Sequence, residues 1–486
     1  MNWNDRMRSA KSYAFWSSVL LTSSMGSASG AHAESLSRAG AIARALQQNP
    51  QVAAARAVEA QAQARRAQVE SAYFPTITLT AGVGPSLKAQ LVPGTGAQST
   101  KNTYGDVGLR DLSVAVGGDL SALQPIYTFG KIAQRERAAE HELKARRAQT
   151  QMTRAQLAVN VAQLYEGWLF ARSAEAFFQE VERWLVHSQE DTQRELDSDS
   201  GSKEQDILRF DAAIGAIRLS MHQASAIKRQ AEAGLVAYLD LAAGTALEPR
   251  EGYLELLAVA LPAQPALVAV ARLQRPELTA LSEASAAYRS LAEAEAAGNL
   301  PDIFALLFAS GGYTPGRDVA SSRYIRDPLN GFYPGVLVGA RWQVTGFMAT
   351  ERAHENQAKA RELDATRHWA ASGLVAEVTK AYEDVLRARA DASSADSAVK
   401  SAKRWSVLAS ADYSVGLGDI RELADSTQAY VQLRVAAYDA SFRQNLALAE
   451  LARATGSFDS KTQSRIYPPP EGHNHVEPQR PATPGH

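Results

Sequence analysis

Two hydrophobic periods divide this chain. In four stretches the alternation of side chains is two-fold, as in a β-strand with chemically distinct faces. After Pro75, Ile77, Leu79, Ala81 and Val83 alternate with Thr76, Thr78, Thr80 and Gly82. A second strand is predicted from about Leu112 through Val114, Val116 and Leu120 towards Phe129, across a loop rich in Gly, Ser and Thr around Pro93 and Gly96. From Ile303 to about Tyr313 the pattern blurs, because both faces are partly apolar. In the fourth, Val336, Val338, Ala340, Trp342 and Val344 alternate with Leu337, Gly339, Arg341, Gln343 and Thr345. Between these strands the chain is rich in Ala, Glu, Gln, Arg and Leu, which are good helix formers. From Lys131 to about Leu196 there is no proline and one glycine, Gly167; from about Ala349 to Val415 there is again no proline and one glycine, Gly373. Each run is long enough for a helix of roughly 100 Å, far beyond what a globular domain needs. Shorter returning helices are expected over about 203–243 and 419–455.

The elements repeat in order. Asn49-Pro50-Gln51-Val52, an Ala-rich helix and Phe74-Pro75 before a strand have counterparts in Arg275-Pro276-Glu277-Leu278, another Ala-rich helix and Leu300-Pro301. Gly130 and Gly346 each precede a long helix, Tyr165 and Tyr382 occupy matching depths within it, and each copy closes at a glycine, Gly244 and Gly456. A period of this size is too long for a solenoid unit, so the fold is a duplication. The expected domains are a signal segment over 1–33, a first repeat over 34–244 with its hairpin at about 76–129, and an equatorial linker over 245–274. A second repeat over 275–458, with its hairpin at about 302–345, and a Pro- and His-containing disordered tail over 459–486 complete the chain.

Arg6, Arg8 and Lys11 before a short apolar run, followed by Ala31-His32-Ala33, have the pattern of a secretory signal cut after Ala33. Beyond it no apolar run reaches the length of a membrane-spanning helix, so any membrane crossing must use strands. Four strands cannot close a barrel, and open edges are not tolerated in hydrocarbon; a membrane reading therefore needs several copies of the chain. The alternation alone fits a soluble sheet equally well. The 486 residues include no cysteine, which excludes disulfides, thiol catalysis and a lipidated cysteine. The formal net charge of −1 gives no reason to expect a nucleic-acid partner. Walker, GxSxG and HExxH motifs are absent, and His473, His475 and His486 lie in the tail, whose composition is that of a disordered segment and not of a built metal site. No catalytic residue, cofactor or metal is expected.

Taken together, the signal, the duplicated order of helix, hairpin and long helix, and the marks at Asn49-Pro50, Arg275-Pro276-Glu277-Leu278, Pro75, Pro301, Gly130, Gly346 and Tyr413-Ser414-Val415-Gly416 resemble the TolC family of bacterial outer-membrane efflux channels. The resemblance spans about 36–458. It implies a mainly α protein with a transmembrane β-barrel, in which a homotrimer pools four strands per chain into a 12-stranded barrel set in outer-membrane lipid above a periplasmic α-helical tunnel. It further implies a passive exit duct for a tripartite efflux or type I secretion system, served by a periplasmic adaptor (membrane fusion) protein and an inner-membrane pump or ABC transporter. Val336, Val338, Ala340, Trp342 and Val344 would face lipid. Glu422 and Asp425, aligned on the Tyr413 mark, would ring the periplasmic gate, and their i, i+3 spacing puts them near one helix face. A soluble periplasmic coiled-coil adaptor or scaffold is the alternative, since it would also combine a signal with long helices.

Overall fold

The computed structural model describes residues 34–88, 91–92, 103–104, 109–198, 204–318, 326–344 and 347–457. The signal segment, the Pro93–Gly96 loop, Thr345, Gly346 and the tail lie outside them. A short strand β1 (Glu34–Leu36) leads into helices α1 (Arg38–Gln48) and α2 (Pro50–Ser71), then β2 (Thr76–Leu87), the small hairpin β3 (Leu91–Val92) and β4 (Thr103–Tyr104), and β5 (Leu112–Tyr127). Helices α3 (Lys131–Ser198) and α4 (Glu204–Tyr238) complete the first copy. The chain continues through β6 (Leu247–Pro249), α5 (Gln264–Gln274), α6 (Pro276–Ala296), β7 (Asp302–Tyr313), β8 (Gly331–Arg341), α7 (Met348–Ser414) and α8 (Ile420–Ala454).

The duplication is visible in helix lengths: 11 residues in α1 and in α5, 22 and 21 in α2 and α6, 68 and 67 in α3 and α7, and 35 in α4 and in α8. The segment expected as a linker over 245–274 contains α5, which has the length of α1 and, like it, runs into a helix opened by proline. The break at Arg275 is a proline effect: the residue before Pro276 is pushed to extended geometry, with φ −64° and ψ 118°, and the same holds at Asn49 before Pro50, with φ −61° and ψ 131°.

Those two pre-proline residues do equivalent work. Asn49 Nδ2 donates to the Tyr238 carbonyl at 2.9 Å, and Arg275 Nη1 donates to the Ala454 carbonyl at 2.9 Å. Each closes off an orphan carbonyl at the end of its own returning helix. Arg275 also pairs with Glu277 at 2.9 Å and Glu377 at 2.9 Å, and Arg453 joins Glu377 at 2.9 Å, so α6, α7 and α8 meet at one ionic knot.

The main core lies midway along the long helices, where Ile42, Val52, Leu157, Val161, Tyr165, Trp168, Leu169, Leu235, Val378, Val385 and Leu448 are buried together. A second core nearer the helical turns gathers Phe177, Phe178, Leu185, Phe210, Ile214, Ile420 and Leu423. At the main core a polar network straps the inter-repeat segment to both copies. Tyr165 donates to the Leu36 carbonyl at 2.7 Å and contacts Glu251, Leu254 N donates to Ser173 Oγ at 3.0 Å, and Leu257 N donates to Asn445 Oδ1 at 3.0 Å. Glu166, fully buried, pairs with Arg38 and accepts from Asn445 Nδ2 at 2.9 Å. Burial pushes its carboxyl upward, opposed by Arg38 and Asn445. Such a pair adds little net stability, but removing either partner strands the other charge in the core.

Candidate functional site: a two-faced sheet and an acidic helical turn

Strands β2, β5, β7 and β8 form one antiparallel sheet in that order, so β2 and β8 are its edges. The register aligns the alternating patterns of all four strands. Leu79 pairs with Leu120, which pairs with Ala309, which pairs with Pro334; Val83 pairs with Val116, and Leu307 with Val336. One face therefore carries Ile77, Leu79, Val83, Val114, Val116, Leu120, Leu307, Val336 and Val338 as a continuous aliphatic surface. These side chains are open in the single chain: Leu79 is 74% exposed, Val83 73%, Val336 73% and Val338 69%. An exposed apolar area of this extent would be a liability in water. The opposite face carries Thr76, Thr78, Thr80, Ser113, Asp119, Ser121, Ser310 and Arg341.

Of the five residues expected on the lipid side, Val336, Val338 and Ala340 share the aliphatic face of β8. Strand pairing stops at Arg341, opposite Asp302, so Trp342 and Val344 lie beyond the last ladder pair instead of within the strand. They remain exposed, and Trp342 Nε1 donates to the Asn299 carbonyl at 2.9 Å. An indole fixed where the strand meets the helical part suits the polar boundary of a bilayer, where tryptophan places an apolar ring beside a hydrogen-bonding tip.

At the far end, the turn between α7 and α8 follows from its glycines. Gly416 adopts φ +77°, and Leu417 N and Gly418 N both return to the Asp412 carbonyl at 2.9 Å. A side chain at Gly418 would begin 2.8 Å from Tyr413 N, so only glycine fits this close approach. Asp419 is the N-cap of α8, accepting from Arg421 N at 3.0 Å. Ile420 and Leu423 turn inward to the second core, which leaves Glu422 and Asp425 exposed on the helix.

The two acids are near neighbours but lean apart. Glu422 Oε1 accepts from the indole Nε1 of Trp405 on α7 at 3.4 Å. Asp425 instead borders a groove of about 670 Å³ between α4 and α8, beside Arg209, Arg421, Phe210 and Leu423. A third group, missed in sequence, ties the two helical turns together. Tyr413 donates to Asp206 Oδ2 on α4 at 3.1 Å and lies 3.4 Å from Thr192 Oγ1 on α3. Burial pushes the Tyr413 phenol up and Asp206 adds to the effect, while Thr192 opposes it, so the hydroxyl stays a donor at neutral pH. Tyr413 opens the Tyr413–Gly416 mark; its role was hidden because its partner is 207 residues away. Among the described residues no cluster of His, Asp or Glu has the makings of a metal site, and no helix is long and apolar enough to cross a membrane.

This fold, a four-stranded sheet on a pair of helices each about 100 Å long, is shared with known proteins. Residues 41–198 match the outer membrane efflux protein family. The chain has the fold of an outer-membrane efflux channel. Superposition on the outer-membrane channel OprN covers 86% of this chain and 89% of that one, with a TM-score of 0.67 and 19% identity. For the Campylobacter jejuni CmeC outer membrane channel the values are 88%, 88%, 0.65 and 15%, and for the Neisseria gonorrhoeae MtrE outer membrane channel in its open state 88%, 93%, 0.67 and 16%. No curated protein sequence matches the chain. The resemblance to the TolC family and the mainly helical fold with an antiparallel sheet are borne out, and these neighbours are channels rather than enzymes.

Proposed function

We propose that this protein is the outer-membrane exit duct of a tripartite efflux or type I secretion system. The carrying observation is the four-stranded sheet: one face is continuous aliphatic surface, the other is mainly polar, and both edges are open. Hydrocarbon favours the first face, water the second, and the open edges require neighbours. Three copies joined edge to edge, β2 of one to β8 of the next, give the 12-stranded barrel that the family resemblance implies, and their long helices continue it as a tunnel across the periplasm. Transport through it is passive. The energy comes from an inner-membrane pump or ABC transporter, linked to the duct by a periplasmic adaptor.

In this reading Val336, Val338 and Ala340 face lipid, with Trp342 and Val344 at its boundary, and Glu422 and Asp425 form the periplasmic gate. The Tyr413–Asp206 hydrogen bond joins α7 to α4, so opening that moves these two helices apart must break it. Planar-bilayer recording tests the reading: the purified protein should form stable, cation-preferring channels. A protein that washes off membranes as a monomer and gives no conductance would instead be the soluble adaptor or scaffold.

A further inference from the structure

The inner face of the sheet is not uniformly polar, and its departure is confined to three adjacent ranks. In the middle rank Thr76 pairs with Leu123, Leu123 with Leu306, and Leu306 with Leu337. The rank on one side runs Ser121, Phe308, Gly335, and on the other Pro125, Phe304, Gly339. Beyond Phe308 the next row, Thr80, Asp119, Ser310 and Tyr333, carries a polar group on every strand, the Tyr333 hydroxyl accepting from Asp327 N at 2.8 Å. Beyond Phe304 lies Arg341, its guanidinium 5.9 Å from the Phe304 ring centre. These residues make both faces of β7 apolar, and facing lipid explains only one of them.

The glycines show how this inner patch is built. Phe308 occupies the space that a side chain at Gly335 would need, and a Cβ at Gly339 would fall 3.1 Å from Phe304 Cζ. Both rings therefore lie down over backbone instead of standing into the lumen. Leucine and phenylalanine in a water-filled pore carry a hydration cost, and the flattened rings keep the passage open while presenting apolar area to its contents. Polar groups of both signs, Asp119 and Arg341, bound the patch along the strands.

We propose that Leu123, Leu306, Leu337, Phe304 and Phe308 form a lumenal contact belt for cargo with an apolar or aromatic body and polar ends. The proposal rests on the exit-duct reading, since only a conduit puts cargo against this face. Passing molecules exchange water for the belt and rest there briefly, with aromatic bodies stacking on the phenylalanine rings; hydrophilic cargo slides past without a stop.

The test is single-channel recording in planar bilayers with probe added on the barrel side, ethidium as the aromatic cation and choline as the hydrophilic one. Ethidium should interrupt the wild-type current with events at least tenfold longer than any from choline. Leu306→Thr/Leu337→Thr keeps strand-forming residues and should shorten the ethidium events at least tenfold, with open conductance and choline response unchanged. Thr80→Ser, in the polar row beyond the three ranks, should leave ethidium events as in wild type. Equal ethidium dwell times in the wild type and the Leu306→Thr/Leu337→Thr variant would overturn the belt while leaving the duct intact. If that variant fails to insert, the wild-type comparison still decides, because choline events as long as those of ethidium contradict the belt. Absence of any wild-type channel would overturn the duct and the belt together.

Discussion

Side chains that alternate along β8 should respond oppositely to charge. Val338 lies on the aliphatic face, and arginine at the bilayer midplane costs about 2–4 kcal/mol per chain, so Val338→Arg should strongly reduce assembled, membrane-extracted protein. The control belongs on the polar face. Gly339 is unsuitable, because Phe304 occupies the space above it; Thr78 is exposed there, and Thr78→Arg should assemble nearly as wild type. Equal losses on detergent extraction would contradict the face assignment. A second residue-scale prediction concerns Glu377 on α7. Burial opposes its ionisation, but Arg275 and Arg453 outweigh burial and hold its carboxyl below the usual range. A carboxyl with a depressed folded pKa binds its proton more readily in the unfolded chain. Its stabilisation is therefore present above the unfolded value and lost as pH falls through the folded one. Glu377→Gln should lower stability at neutral pH by about 1 kcal/mol, the carboxylate being partly exposed and screened by solvent, and flatten the acid limb of the pH–stability curve, measured by thermal melts. A parallel shift of wild type and variant across that range would show that the knot does not titrate.

Elements were legible where local rules govern them. The long helices were expected from the absence of proline and the repeat from its proline and glycine marks, because backbone preferences act over a few residues. The first hairpin was readable from clean alternation. The end of β8 was not, since pairing is decided by the register of β7 and not by the continued alternation through Val344. The 245–274 segment hid α5 because its identity as a partner of α1 depends on the three-dimensional repeat. At the acidic turn, spacing placed Glu422 and Asp425 on α8 but could not reveal Trp405, Asp206 or the groove that draw their neighbourhood apart. The gate reading predicts that Glu422→Ala/Asp425→Ala loses cation preference and block by trivalent cations in bilayer recordings; unchanged selectivity and block would make both residues ordinary solvated acids. Tyr413→Phe removes the hydroxyl that joins α7 to α4 while keeping the ring against Phe210, 6.3 Å away between centres. It should raise the open probability of the channel, and a gating record identical to wild type would show that the tie does not hold the turns.

At the scale of the whole molecule, the single chain has a sheet with two open edges and one aliphatic face, and its long helices expose charged side chains to water. A signal cut after Ala33 would deliver it to the periplasm starting at Glu34, the first residue of β1, which pairs with Leu247 at the start of the inter-repeat segment. Mass spectrometry should find that N-terminus without an acyl addition, since there is no cysteine to carry one; an uncleaved chain would contradict the export route. Closure of one barrel by several copies in the outer membrane can be weighed directly, by native mass spectrometry of protein extracted with detergent from isolated outer membranes. A barrel closed by three chains should appear as a complex with the mass of three mature chains that persists after lipid is stripped; a single chain, or a protein recovered only in the soluble periplasmic fraction, would rule such a barrel out.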